Sequence, residues 1–284
     1  MSFIPLSTCC LQGGRLTGTP RGTFTASNNT QRVGRYQTKP SEGKVVDEKV
    51  ALVLYTDAFG LELSNPKIMA DAFADQLKIN VYVPEYIINP PPVDVFEPVA
   101  PLYPDQYASR SWATTIYMII EVIWKIWRWL PMLLFPKKQV PLAQAAINDL
   151  TSEGYEKIVA VGYCRGGAMV QYLLSNQANT TLVGGIICHP SPEKSTWPQI
   201  TKPSVWHLAD HDQMFGAKDI QLLKDSFQKK VEDENVDFDC IVHTDTVHGF
   251  AARPTLEHEA TKKAFNEANK SVVGFCENYL LGSD

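Results

Sequence analysis

The stretch Ile158-Val-Ala-Val-Gly-Tyr-Cys-Arg-Gly-Gly constrains this chain more than any other. Its four leading apolar residues suit a strand buried on both faces of a parallel sheet, and Gly167 to Leu174 reads as an apolar helix. Between them, Gly162 and Gly166 bracket Cys164 at equal spacing, which allows a tight, strained turn where strand and helix backbones approach closely. A residue held on such a turn stands at the carboxyl edge of a sheet. A helix N-terminus beneath its sulfur favours the thiolate. The bland alternative is a glycine-rich turn around a buried structural cysteine.

The same alternation recurs along the chain. Val50-Ala-Leu-Val-Leu-Tyr and Ile79-Asn-Val-Tyr-Val-Pro read as strands, and Pro66 to Leu77 as a helix with Asn65 as cap and first turn. Leu142 to Leu150 has helical spacing before the Cys164 strand. Three more strand and helix units are expected after it: Leu182 to Cys188, Ser204 to Ala209 and Phe238 to His243 as strands, Ile220 to Val231 and Leu256 to Leu281 as helices. This order implies parallel βαβ units in a doubly wound sheet. At 284 residues, a prior of about 150 residues per domain allows two domains, but the rhythm is read as one α/β domain over 1-284. Residues 1-49 are polar, with Arg35-Tyr-Gln a short strand, and form a leader or edge hairpin. Residues 89-136 break the rhythm, because six prolines between Asn89 and Pro104 exclude a central strand or a helix; this is an insertion.

A cysteine on such a turn becomes a nucleophile when a histidine and an acid follow it, on loops after later strands, in the order nucleophile, acid, histidine. His248, after the last strand, is the best base. His207 and His243 lie within strands and read as structural, while His189, His211 and His258 lack the position after the last strand. Asp210 and Asp212 both follow the Ser204 to Ala209 strand, so either is a candidate acid. The amide after the nucleophile, that of Arg165, is placed to meet a developing oxyanion.

Several stretches together are similar to the dienelactone hydrolase family of α/β-hydrolases, in its eukaryotic branch. They are Cys9-Cys-x-x-Gly with Gly18-Thr-Pro-x-Gly22, Asp57-Ala-Phe-Gly60-Leu, Ala70-Asp-x-Phe-Ala-Asp, Val81-x-Val-Pro84, Gly162-Tyr-Cys-x-Gly-Gly167, His189-Pro-Ser, Asp212-Gln-Met-Phe and His248-Gly-Phe-x-x-Arg253. The resemblance implies an α/β-hydrolase fold and hydrolysis of an enol-lactone or small ester through a thioester on Cys164. It favours Asp212 over Asp210, since the family's acid is the third residue after a strand-end glycine, here replaced by Ala209. It implies that Asp57 contacts the resting thiol, that the Ala58 and Arg165 amides form the oxyanion hole, and that Arg253 and Arg110 bind a substrate carboxylate. Bacterial members carry Glu where Asp57 stands, and Arg253 lies one residue further from the histidine than in them.

Other classes are set aside on composition. Lys plus Arg is 26 against 31 Asp plus Glu, a net charge of −5 with no long basic run, which argues against nucleic acid. The six cysteines have no C-x-x-C pair and no histidine at metal-ligand spacing, so neither a metal nor a cofactor is expected. The N-terminus lacks the basic and apolar regions of a secretory signal, so a cytoplasmic protein with free thiols is expected. The sequons at Asn28 and Asn179 are then irrelevant, and Cys9 and Cys10 are read as unacylated. A rival to the hydrolase reading is a redox or binding role for Cys164 on the same scaffold, with the insertion docking a partner. Trp112 to Phe135 reads as an aromatic-rich helix with a narrow polar stripe, Glu121 pairing with Lys125, and Pro131 as its stop. A cap over Cys164 is the preferred reading of this helix, with a lipid surface or self-association as alternatives and a membrane span as the weakest.

Overall fold

In the computed structural model, which describes residues 14–27, 33–96 and 99–282, the apolar runs become strands of one eight-stranded sheet. In chain order these are β1 (Thr23–Thr25), β2 (Arg35–Thr38), β3 (Val50–Tyr55), β4 (Asn80–Pro84), β5 (Lys157–Tyr163), β6 (Leu182–Cys188), β7 (Ser204–His211) and β8 (Phe238–Val247). Their spatial order is β1-β2-β4-β3-β5-β6-β7-β8; β3 to β8 are parallel, and the β1-β2 hairpin adds antiparallel to β4. This is the α/β-hydrolase arrangement.

Period-2 alternation divides each central strand between two cores. Val50, Leu52 and Leu54 of β3 pack with Met69 and Phe73 of α1 (Asn65–Leu77) and Phe265 of α7 (Glu259–Cys276). Ala51, Val53 and Tyr55 face the opposite core, beneath α4 (Val140–Ser152), α5 (Arg165–Ser175) and α6 (Ala217–Glu234). All six β3 residues are therefore buried, which is why the run shows no polar alternation.

Three expectations need correction. Between β6 and β7 there is no α-helix, only a single 3-10 turn at Trp197–Gln199, because Pro190, Pro192, Pro198 and Pro203 interrupt the link; Trp197 packs there with Trp206 and Phe215. The strands β7 and β8 continue to His211 and Val247, beyond the expected ends. Asn65 does not cap α1, since Ser64 holds the cap position. The Asn65 amide is instead buried, accepting from the Leu16 N–H at 2.9 Å and donating to the Gly14 and Ala252 carbonyls, both at 2.8 Å. It thereby fastens the leader to the loop that carries Arg253. Cys9, Cys10 and Asn28 lie outside the described residues; Asn179 is buried with its amide on the Leu173 carbonyl at 2.9 Å.

Between β4 and α4 the chain forms α2 (Trp112–Ile126) and the short α3 (Leu130–Leu134). Ser111 caps α2 by accepting from the Thr114 N–H at 3.1 Å, and the Glu121–Lys125 pair closes at 2.6 Å on its exposed side.

Because Asn65 satisfies three buried backbone groups at once, Asn65→Ala is expected to lower unfolding stability by about 3 kcal/mol, within the usual cost of orphaning buried polar groups. Urea unfolding measures this. A loss below about 0.5 kcal/mol would show that water replaces the amide without penalty.

Candidate active site

At Cys164 the chain turns from β5 into α5 with φ 51° and ψ −108°, a conformation that costs a non-glycine residue of order 1–3 kcal/mol. The glycines around it explain how the turn closes. A Cβ on Gly166 would collide with the Tyr55 carbonyl, one on Gly162 with the Gly166 carbonyl, and one on Gly167 would lie 2.8 Å from Pro190 Cβ. Hydrogen bonds hold the turn from the β6 side, with the Cys164 N–H donating to the Cys188 carbonyl at 3.1 Å and the Ser191 N–H to the Cys164 carbonyl at 3.3 Å. The thiol itself stays partly exposed.

His248 leads the turn after β8, where Gly249 at φ 95° lets the chain reverse. Its Nδ1 lies 2.8 Å from Asp212 Oδ2. The buried Asp212 carboxylate also accepts from the Met214 and Phe215 N–H groups at 2.8 and 3.3 Å, so it presents a fixed acceptor to the ring. That contact puts the Nδ1 proton towards Asp212 and leaves Nε2 buried without a hydrogen-bond partner. Burial alone would lower the His248 pKa, but the charge of the adjacent Cys164 and the Asp212 carboxylate outweigh it and push it up to about 10. Sulfur and ring are thus close without an aligned hydrogen bond, a gap that substrate binding commonly tightens. Asp210 is engaged elsewhere, accepting from the Asp245 and Thr246 N–H groups at 2.9 and 3.1 Å and tying β7 to β8.

Asp57 follows β3. Its carboxylate accepts from the Phe59 N–H at 3.0 Å and lies 3.5 Å from Arg253 Nε, making no hydrogen bond to the thiol. Burial raises its pKa, with Arg253, the Phe59 N–H and His248 pulling the other way. The Arg253 guanidinium also lies over the Phe59 ring at 4.7 Å, so Asp57 and Arg253 brace each other at the floor of the site. Arg165 opens α5 and Ala58 follows Asp57 on the same carboxyl edge, where the start of α5 presses on Tyr55 and Thr56. Arg110 stands apart from this group. Its guanidinium lies over Tyr107 at 3.4 Å and lines a cavity of about 530 Å³ that extends from Met118 and Ile119 of α2 to Asp212 and Val247.

Sequence reasoning placed His207 and His243 as structural; they form a buried pair with Nδ1 of His207 2.9 Å from Nε2 of His243. His258 caps α7, accepting from the Thr261 N–H at 3.3 Å, and His211 is exposed. It missed His189 as part of the site. This residue, at φ 35°, is fully buried with its ring edge against His248 at 5.1 Å and Phe250 at 5.4 Å, and neither ring nitrogen has a partner. Burial and the His248 charge hold its pKa well below the usual histidine range, so it is a neutral wall. The signal was present in His189-Pro-Ser, directly after the strand next to the Cys164 turn. Tyr86, which donates to the Thr56 carbonyl at 2.5 Å, was also missed.

Known proteins share this architecture. A model of the dienelactone hydrolase family matches residues 102–280. The chain is 22% identical to the hydrolase tropI of Talaromyces stipitatus, covering 99% of each chain. It is 23% identical to the human carboxymethylenebutenolidase homolog, covering 83% of this chain and 84% of that one. Among solved structures, a dienelactone hydrolase-like promiscuous phosphotriesterase from metagenomic libraries superposes with a TM-score of 0.60 at 16% identity, covering 91% of this chain and 97% of that one. The propionate-bound esterase 2 of Thermogutta terrifontis gives 0.59 at 12% identity, covering 93% and 97%. With the family model spanning more than half its length, and with the fold those structures share, the chain belongs to the dienelactone hydrolase family.

Proposed function

We propose that this member of a hydrolase family cleaves an enol-lactone or small ester through Cys164, His248 and Asp212, with a covalent thioester intermediate. The observation that carries the reading is the 2.8 Å contact of His248 Nδ1 with a buried, twice hydrogen-bonded Asp212, beside a cysteine on a strained strand-to-helix turn. The carboxymethylenebutenolidase homologs among its relatives point to a butenolide-type lactone as one substrate class.

In this mechanism the proton shared by the pair rests on His248 Nε2, and Cys164 attacks the carbonyl carbon as the thiolate. The oxygen that gains charge is met by the Ala58 and Arg165 N–H groups. As the tetrahedral adduct collapses, the C–O bond breaks and the leaving oxygen takes the proton from His248, leaving the acyl group on sulfur. His248 then removes a proton from water, which attacks the thioester and releases the acid and the thiolate. Asp212 holds the ring in the tautomer this requires. Arg253 supplies positive charge for an acidic group on the substrate, in competition with Asp57.

Cys164→Ala and His248→Ala are each expected to lower kcat/KM by about two orders of magnitude or more on short aryl esters and a dienelactone. Asp212→Asn is expected to damage turnover far more than Asp210→Asn. Near-normal turnover by Cys164→Ala would reduce the thiol to a redox or binding group. A reversed ranking of the two aspartates would move the acid to Asp210.

Titration adds a second check. With its pKa near 10, His248 keeps its proton through neutral pH, and its folded-state stabilisation is lost only as pH rises from the ordinary histidine value of about 6.5 towards that point. NMR of the His248 ring should therefore show no titration between about pH 5 and 8. Cys164→Ala removes the strongest raising influence and should lower that pKa. An unchanged ring titration in the variant would mean that the resting thiol carries no charge.

A further inference from the structure

Helix α2 presents an apolar face outward as well as inward. Taking about 100° per residue, Met118, Val122 and Ile126 share the inner side, while Ile120, Trp124 and Trp127 point the opposite way. Val122 and Ile126 are buried, and Met118 and Ile119 line the cavity that reaches Asp212. On the outer side Trp124 is 79% exposed, Trp127 63% and Tyr117 67%. The polar residues Glu121, Lys125 and Arg128 occupy one flank between these sides. The place of the segment between β4 and the strand that leads to Cys164 favours a cap, yet a cap accounts only for the inner side.

Charge identifies what covers the outer side. Residues 112–138 hold Lys125, Arg128, Lys137 and Lys138 against the single acid Glu121, a local charge of +3 on a chain of net −5. A second copy docked about a two-fold axis would bring these basic side chains against their own equivalents, which disfavours self-pairing. Exposed Trp and Tyr flanked by Lys and Arg match the headgroup level of a bilayer with anionic lipids. Crossing is excluded for this helix: its 15 residues reach about 22 Å, short of the ~30 Å hydrocarbon core, and among the described residues no helix is long and apolar enough to span.

We propose that α2 and the turn after it dock this protein on an anionic membrane surface, with Tyr117, Trp124 and Trp127 at headgroup depth and Arg128, Lys137 and Lys138 on lipid phosphates. The helix lies in the interface plane. Its inner side then lines a cavity that opens next to the bilayer. This surface is independent of the hydrolytic reading, because vesicle binding is read without turnover.

The test is co-sedimentation with phosphatidylcholine vesicles, with and without phosphatidylserine, at low and high salt. The protein is expected to bind the anionic vesicles at least tenfold more tightly than the neutral ones, and to be released by salt. Lys137→Gln with Lys138→Gln should weaken binding by roughly thirtyfold, from the usual contribution of a basic residue near an anionic surface. Trp124→Glu with Trp127→Glu should abolish binding while circular dichroism and aryl-ester turnover without vesicles stay unchanged. Failure to bind any vesicle would overturn the proposal, as would tryptophan variants that bind like the parent. Concentration-dependent dimers in sedimentation velocity, broken by Trp124→Glu in a protein that ignores vesicles, would assign the face to a second copy instead.

Discussion

The backbone at Cys164, held at φ 51° and ψ −108° where β5 gives way to α5, sets the position of every other group in the site. A side chain at this turn is lifted to the carboxyl edge of the sheet, and the turn survives because neighbouring interactions over-determine it. Gly166 lets α5 press against the end of β3, and Gly162 lets the strand pass under the helix start. The Cys188 carbonyl and the Ser191 N–H then fix the turn from the next strand. Since β3, β5 and β6 are adjacent in the sheet, one local strain fixes the sulfur relative to the loops after three strands.

The electrostatics follow from that placement. A single imidazole stands between a sulfur and a carboxylate in a space walled by Phe250 and the neutral His189. In such surroundings paired charges interact more strongly than in water, which is why the proton stays on His248 despite its burial. Asp57 and Arg253 form a second, looser charge pair at the floor, where burial and the arginine act on the carboxyl in opposite directions.

Much of this was legible in the sequence because it depends on local pattern. The unbroken apolar run of β3 announced a two-faced core, and the glycines at Cys164 announced the turn. The order nucleophile, acid, histidine was expected from chain topology, which left Asp210 and Asp212 both open, and the preference for Asp212 came from the family resemblance. What was not legible depends on who meets whom in space. Asn65 looks like a helix cap because Asn before Pro often is one, yet its amide is claimed by Gly14, Leu16 and Ala252 from distant segments. Asp57 was expected at the thiol; one methylene shorter than Glu, it turns to the Phe59 N–H and Arg253. The β6–β7 link was counted into the strand and helix rhythm, but Pro190, Pro192, Pro198 and Pro203 break it, and only a single 3-10 turn forms there. For α2, apolar residues nearly all round the wheel gave no way to tell which side packs; only the fold leaves Trp124 and Trp127 uncovered.

The central claim, that Cys164 forms a covalent bond to the substrate acyl group, is tested most directly by trapping. Acid quench of the protein during turnover of a slow ester, followed by intact-mass and peptide mass spectrometry, should show one acyl group on the peptide containing Cys164, cleaved by neutral hydroxylamine as a thioester is. An acyl group on another residue such as Ser191, or turnover with no acylated protein under conditions where hydrolysis of the intermediate is rate-limiting, would contradict the account.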